Sequence, residues 1–148
     1  MAVIPDMVAA ELRAGRDTDS RIAGAVDAGW LEIRTLHTDR EVTEFVRFSS
    51  LLVKGDRNVG EAGVLALAKV LSATAVVDDG AARRAARANG VTVRPTLALL
   101  CAAINQGLLT VKLVSALADD LLATEYRLPL GPGGFEAWAV ANGMIADG

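Results

Sequence analysis

Gly60-Glu61-Ala62-Gly63-Val64-Leu65-Ala66-Leu67-Ala68-Lys69-Val70-Leu71, then Thr74-Ala75-Val76-Val77-Asp78-Asp79, then Ala81-Ala82-Arg83-Arg84-Ala85-Ala86-Arg87 read in order as helix, strand, acidic strand end and helix. A helix feeding an apolar strand, which feeds another helix, is the grammar of an α/β fold with parallel strands. Ligands and metals in such folds sit beyond the C-terminal ends of the strands. Asp78 and Asp79 are therefore the first candidates for chemistry.

Working outward, the pattern alternates in both directions. Upstream, residues 1–4 end a short strand, and Pro5 suits the first turn of a helix running through Gly15. Asp17 or Asp19 can cap a second helix with Ile22, Ala25 and Val26 on one face. Residues 30–36 form a strand in which Leu31, Ile33 and Thr35 oppose Glu32 and Arg34, predicting one buried sheet face. Asp39 is placed to cap a helix with Val42, Phe45, Val46 and Ser49 inward. Downstream, Asn89-Gly90 is a strong helix stop, and residues 91–93 form a brief strand that Pro95 ends. Thr96 caps an apolar helix ending near Gly107. Residues 110–123 and 135–141 are helical, separated by a loop holding Pro129 and Pro132. The division expected is a core over 1–109 and a helical extension over 110–148.

Composition fixes the class in which these elements act. The chain has 148 residues, enough for one domain with a full core. Its hydrophobic content of 52%, with only 4% aromatic, points to a helix-rich interior of small side chains. The net charge of -3 gives no global attraction to nucleic acid, so any such binding needs a local basic patch. Cys101 is the only cysteine, which excludes an intramolecular disulfide and a thiolate cluster. It reads as a buried small hydrophobe. One histidine, His37, argues against zinc or histidine acid–base chemistry. No leader segment and no apolar run long enough for a membrane span is visible, so the reading is a soluble cytoplasmic protein without membrane contact. No glycine-rich phosphate loop follows any strand.

The carboxylates have places on this scaffold. Glu11 sits in the helix entered through Pro5. Glu61 lies in the first turn of its helix, where the partial positive charge favours an acid. Asp79 ends a buried strand. Converging on one crevice, the three would suit a hard cation with oxygen ligands, Mg²⁺ or Mn²⁺. The bland alternatives are a helix-stabilising first-turn Glu61 and an Asp79 that caps the following helix. Arg83, Arg84 and Arg87 form the clearest basic cluster and could hold phosphates; their plainer reading is a solvated helix face.

These residues also carry a resemblance. Val3-Ile4-Pro5-Asp6-Met7-Val8-Ala9-Ala10-Glu11-Leu12 resembles the "VIPxxVxxEL" segment of PIN-domain proteins, in particular VapC-like toxins. Gly60-Glu61-Ala62 followed by Leu65-Ala66-Leu67-Ala68 is similar to their "GEAEAIALA" helix, and Val76-Val77-Asp78-Asp79 followed by Ala82-Arg83-Arg84 to their "LIDDxxAR" segment. The three occur in the family's order, across residues 3–109. The resemblance implies a PIN-like three-layer α/β sandwich whose central, mostly parallel sheet is flanked by helices. It implies a metal-dependent endoribonuclease of the toxin–antitoxin type, using Mg²⁺ or Mn²⁺. Carried over by position, Glu11, Glu61 and Asp79 would be catalytic acids and metal ligands. Asp78 is the neighbouring alternative, because strand alternation lets one of the pair face the crevice. Asp56 is a weaker accessory candidate.

Two departures from the family pattern stand out. The usual first strand, which ends in an aspartate, does not precede the Val-Ile-Pro segment here. This leaves either a longer native protein with a working site or a remnant with an impaired one, and the latter would act as an interaction or regulatory module. A remnant would aggregate, pair strands with a second copy or rearrange its sheet. Gly63 stands where the family often has Glu, which removes a secondary ligand and weakens the helix slightly. Residues 113–145 supply two amphipathic faces suited to the sheet edge, a homodimer or a cognate antitoxin.

Overall fold

The computed structural model describes residues 2–15, 24–55, 57–124 and 126–146. The chain divides into two compact units, residues 1–94 and 95–148. The first holds β1 (Ala2–Pro5), α1 (Asp6–Gly15), β2 (Leu31–Arg34), α2 (Asp39–Leu52), α3 (Val59–Leu71), β3 (Ala75–Val76), α4 (Gly80–Ala88) and β4 (Val93–Arg94). The second is helical: α5 (Thr96–Asn105), α6 (Val111–Ala123) and α7 (Phe135–Ala141). Among the described residues no helix is long and apolar enough to cross a membrane. The start of the helix expected after Asp17 or Asp19 lies outside the described residues, as does Asp56; residues 24–26 are helical and Val26 is buried.

The fold is α/β with parallel strands, as expected, but the strands form two pairs instead of one continuous sheet. β1 pairs with β2, Ala2 opposite Leu31 through Pro5 opposite Arg34. β3 pairs with β4, Ala75 opposite Val93 and Val76 opposite Arg94. Both pairs pack on α3, which also receives α1 and α2. α3 can serve as this hub because its neighbours meet small residues. Gly60, Ala62, Gly63, Leu65, Ala66, Leu67 and Ala68 are all buried. At Gly63 a Cβ would lie 2.5 Å from Met7 Sδ and 3.2 Å from the ring of the buried Pro5. The β1–α1 corner therefore occupies the space a side chain would need. The core of this unit joins Phe48, Leu52, Leu65, Val77, Ala82, Ala86 and Val91.

Three local expectations change. Thr38, not Asp39, is the N-cap of α2, and its hydroxyl accepts from the Glu41 N–H while the Glu41 carboxylate accepts from the Thr38 N–H. This reciprocal capping box draws Glu41 inward and rotates the helix. Glu41, Phe48 and Leu52 are buried, whereas Val42 and Val46, expected inside, are 45% and 61% exposed. In β2 all four residues are half-buried and Thr35 is exposed, so no single face is buried. Among the described residues β2 pairs with β1 alone, and Arg34 leans toward Glu41. Pro95 takes the N-cap position of α5, leaving Thr96 as its first helical residue. In the second unit Leu97, Cys101, Val114, Ala118, Phe135, Ala139 and Ile145 form the core. Cys101 is the buried small residue expected, and burial pushes its thiol pKa up.

Candidate functional site

α3 opens without a side-chain cap. Its N-cap residue Asn58 adopts the left-handed conformation at φ 66° and makes no capping hydrogen bond. Instead the Asn58 amide donates to the Leu52 carbonyl at 3.1 Å, tying the end of α2 to the start of α3. The partial positive charge of that helix end is open to an acid from elsewhere. Glu11 of α1 supplies one. Its two carboxylate oxygens lie 3.1 and 3.2 Å from the point where a Gly60 Cβ would stand, and Val8 Cγ2 is 3.2 Å from that point. Glycine at 60 thus leaves room for the Glu11 carboxylate against the first turn of α3. Glu61, the next residue, is half-buried in the same turn, and Glu11 is exposed. The structure brings these two sequence-predicted acids to one helix mouth.

Asp79 stands elsewhere in the design. It is the N-cap of α4, and its Oδ1 accepts the Ala82 N–H at 2.7 Å. The capping role weighed from the sequence is therefore realised. Asp79 is exposed and Asp78 half-buried. Among the described residues, no three His, Cys, Asp or Glu side chains come together in a set that could hold a metal ion. Glu11 and Glu61 are two oxygen donors of the class Mg²⁺ and Mn²⁺ prefer, and Mg²⁺ is often held by one or two carboxylates together with substrate phosphates. The donor chemistry at the mouth of α3 suits such an ion, in a two-carboxylate form.

The basic cluster follows Asp79 directly. Ala82 and Ala86 are buried, while Arg84 and Arg87 are exposed and Arg83 is half-buried. The Arg83 Nε is buried without a hydrogen-bond partner. Arg84 folds back so that Nη1 comes within 3.4 Å of the Gly80 Cβ position, at the opening of α4. Two of the three guanidinium groups are therefore on exposed residues, Arg84 near the carboxylate-capped start of α4 and Arg87 in its last turn.

One residue the sequence reading passed over is the most tightly held acid in the described structure. Glu41 is 1% exposed. Its Oε2 accepts from the His37 N–H at 3.1 Å, the Thr38 N–H at 3.0 Å and the Thr38 hydroxyl at 2.9 Å, and its Oε1 from Arg34 Nη2 at 3.4 Å. The Thr38 and His37 backbone donors, with smaller help from the Thr38 hydroxyl and the His37 charge, outweigh burial and hold its pKa at about 2, below 4.5. The signal was present as Thr38-Asp39-Arg40-Glu41, the spacing of a capping box.

A family model described as a PIN domain matches residues 1–130. The chain belongs to the PIN-domain family. No curated protein and no solved structure matches it. Membership points to nuclease-type action and to nucleic-acid interaction in general. It also accounts for the order in which the PIN-like segments at residues 3–12, 60–68 and 76–84 fall along this chain. In this PIN domain the first two of those segments meet physically, where Glu11 packs on Gly60.

Proposed function

We propose that this PIN-domain protein is a metal-dependent endoribonuclease of the toxin–antitoxin, VapC-like type. The observation that carries the reading is the seating of the Glu11 carboxylate against Gly60, beside Glu61, at a helix mouth left uncapped by its own N-cap residue. Glu11 and Glu61 would hold Mg²⁺ or Mn²⁺, with Asp79 or Asp78 as further acids of the site. The chemistry such a cation supplies is Lewis-acid polarisation of a phosphodiester and activation of water. Gly60 keeps the Glu11 carboxylate in place by having no side chain of its own. Arg84 and Arg87, exposed on α4, would bind RNA phosphates, with Arg83 supporting them. A cognate antitoxin would be the natural restraint on such an enzyme, and a homodimer its working form.

A second reading is favoured by the engaged state of Asp79. With its Oδ1 committed to the Ala82 N–H and no three-acid set among the described residues, the chain would serve as an impaired PIN-like interaction module. Calorimetric titration with Mn²⁺, run beside an RNA cleavage assay, separates the two. The wild-type chain should bind Mn²⁺ and cleave, and Glu11→Gln should lose both. Asp79→Asn retains an equally good N-cap, so its fold should be untouched while its activity falls. Saturable Mn²⁺ binding that survives Glu11→Gln sinks the placement of the site. A folded chain that neither binds Mn²⁺ nor cuts RNA leaves the interaction module.

A further inference from the structure

The first unit contains a cavity of about 250 Å³ that none of the predicted site acids or arginines lines. Its charged lining residues are Arg40, from the first turn of α2, and Lys69, from the last turn of α3. Ser72 and Thr92 add two hydroxyls, and Gly90 and the buried Val91 complete the part that matters here. Among the described residues no carboxylate lines it. The position in the fold is distinctive as well. Ser72 and Thr92 precede β3 and β4, so the cavity opens at the N-terminal edge of that strand pair, while Asp78 and Asp79 follow β3 at the other edge.

From this lining we infer a binding site for a phosphate group. A phosphate needs positive charge and several hydrogen-bond donors, and this cavity offers one guanidinium, one ammonium and two hydroxyls. Lys69 is already fixed, because its Nζ donates to the Asn89 carbonyl at 2.8 Å. Two of its three donors remain for a ligand. Gly90, at φ 68°, turns the chain beside it, and a Cβ there would lie 3.5 Å from the ammonium. Glycine thus keeps the approach to Lys69 open while taking a backbone conformation that other residues resist.

The opposing term is the negative end of two helices, since α3 and α4 both finish at this cavity. Part of that charge is met within the chain. The Ser72 and Ala73 N–H groups both bond to the Ala68 carbonyl, and those of Asn89, Gly90 and Val91 bond to carbonyls of residues 85–87. Two full positive charges then outweigh two half charges, some of whose oxygens already have donors. No aromatic side chain lines the cavity, so it provides no stacking surface for a base. Recognition would rest on the phosphate itself, whether free or carried at the end of an RNA strand.

The test titrates the full chain with inorganic phosphate, with a 5′-phosphorylated oligoribonucleotide, and with the same oligonucleotide lacking that phosphate. Amide NMR shifts are followed at Ser72, Gly90 and Thr92. Saturable phosphate binding that perturbs these amides is expected, weakened about tenfold by Arg40→Gln and again by Lys69→Gln. Arg40 is exposed, so its variant keeps the fold if Lys69→Gln does not. A preference for the phosphorylated oligonucleotide over inorganic phosphate would assign the group to an RNA end; the reverse would assign it to a small phosphate. Absence of saturation with every probe, or binding untouched by Arg40→Gln, would overturn the proposal. Neither result bears on the nuclease reading, because Mn²⁺ binding at Glu11 is measured separately.

Discussion

The mouths of α2 and α3 hold carboxylates in opposite ways. At α2, Glu41 is buried and its oxygens are filled by two backbone N–H groups, a hydroxyl and a guanidinium. At α3, the N-cap side chain is turned away to Leu52, Glu11 is exposed and Glu61 half-buried. An acid whose oxygens are both engaged inside the fold can stabilise it but has little left to offer a ligand. An acid resting on an open helix end, in reach of water, retains acceptor capacity for a cation or a substrate proton. The difference separates engaged from available carboxylates better than sequence position does, since both types lie within one turn of a helix start or pack on one.

The widest separation between the two mouths should appear in stability. Glu41→Ala strips four donors of their acceptor and should cost about 3 kcal/mol, read from the midpoint of urea unfolding. An equal, small effect at Glu41 and Glu11 would break the distinction. Acid sharpens it. Because Glu41 is held at about 2 against 4.5, its contribution is complete above about 4.5 and drains away as pH falls toward 2. The stability gap between wild type and Glu41→Gln should therefore narrow across that window. A gap that stays constant from neutral pH to pH 3 would mean the carboxylate charge is not what holds the α2 start.

A smaller effect is expected on the α3 side of the comparison, at Gly63. Restoring the family's more common glutamate there would force a Cβ to within 2.5 Å of Met7 Sδ. Gly63→Glu should cost about 2 kcal/mol through overpacking, even after the gain in helix propensity. A neutral or stabilising result would show that the β1–α1 corner yields easily, and that the seat of Glu11 on Gly60 is correspondingly loose.

How much of this was legible beforehand depends on which force fixes each element. The α3–β3–α4 run was readable because small apolar residues repeat at helical spacing and Asn89-Gly90 marks a sharp stop. The facing of α2 was not, because Val42 and Val46 look like core while a charged residue, Glu41, takes the inward position. A single capping box overrode the apolar pattern. The splitting of the strands into two pairs was likewise hidden, since strand pattern says nothing of which edges meet. Asp79 was seen both as site and as cap, and the cap is what its hydrogen bond shows. The nearness of Glu11 to Gly60 was legible only as the expectation that Glu11 and Glu61 share a crevice; periodicity places the two in different helices and does not say where they touch.

The smallest stability effect belongs to the open mouth and is the most informative for function. Glu11→Gln and Glu61→Gln each remove one charge from a helix N-terminus without uncovering a buried donor, so each should cost only about 0.5 kcal/mol. Their Mn²⁺ affinity should nevertheless fall steeply, because the amide carries no charge to set against the cation. A variant that is as stable as wild type but no longer binds assigns these acids to chemistry. One that loses stability on the scale of Glu41 while binding Mn²⁺ unchanged would make Glu11 a second structural carboxylate, the surrogate cap of α3, and the two helix mouths would differ only in which residue supplies the cap.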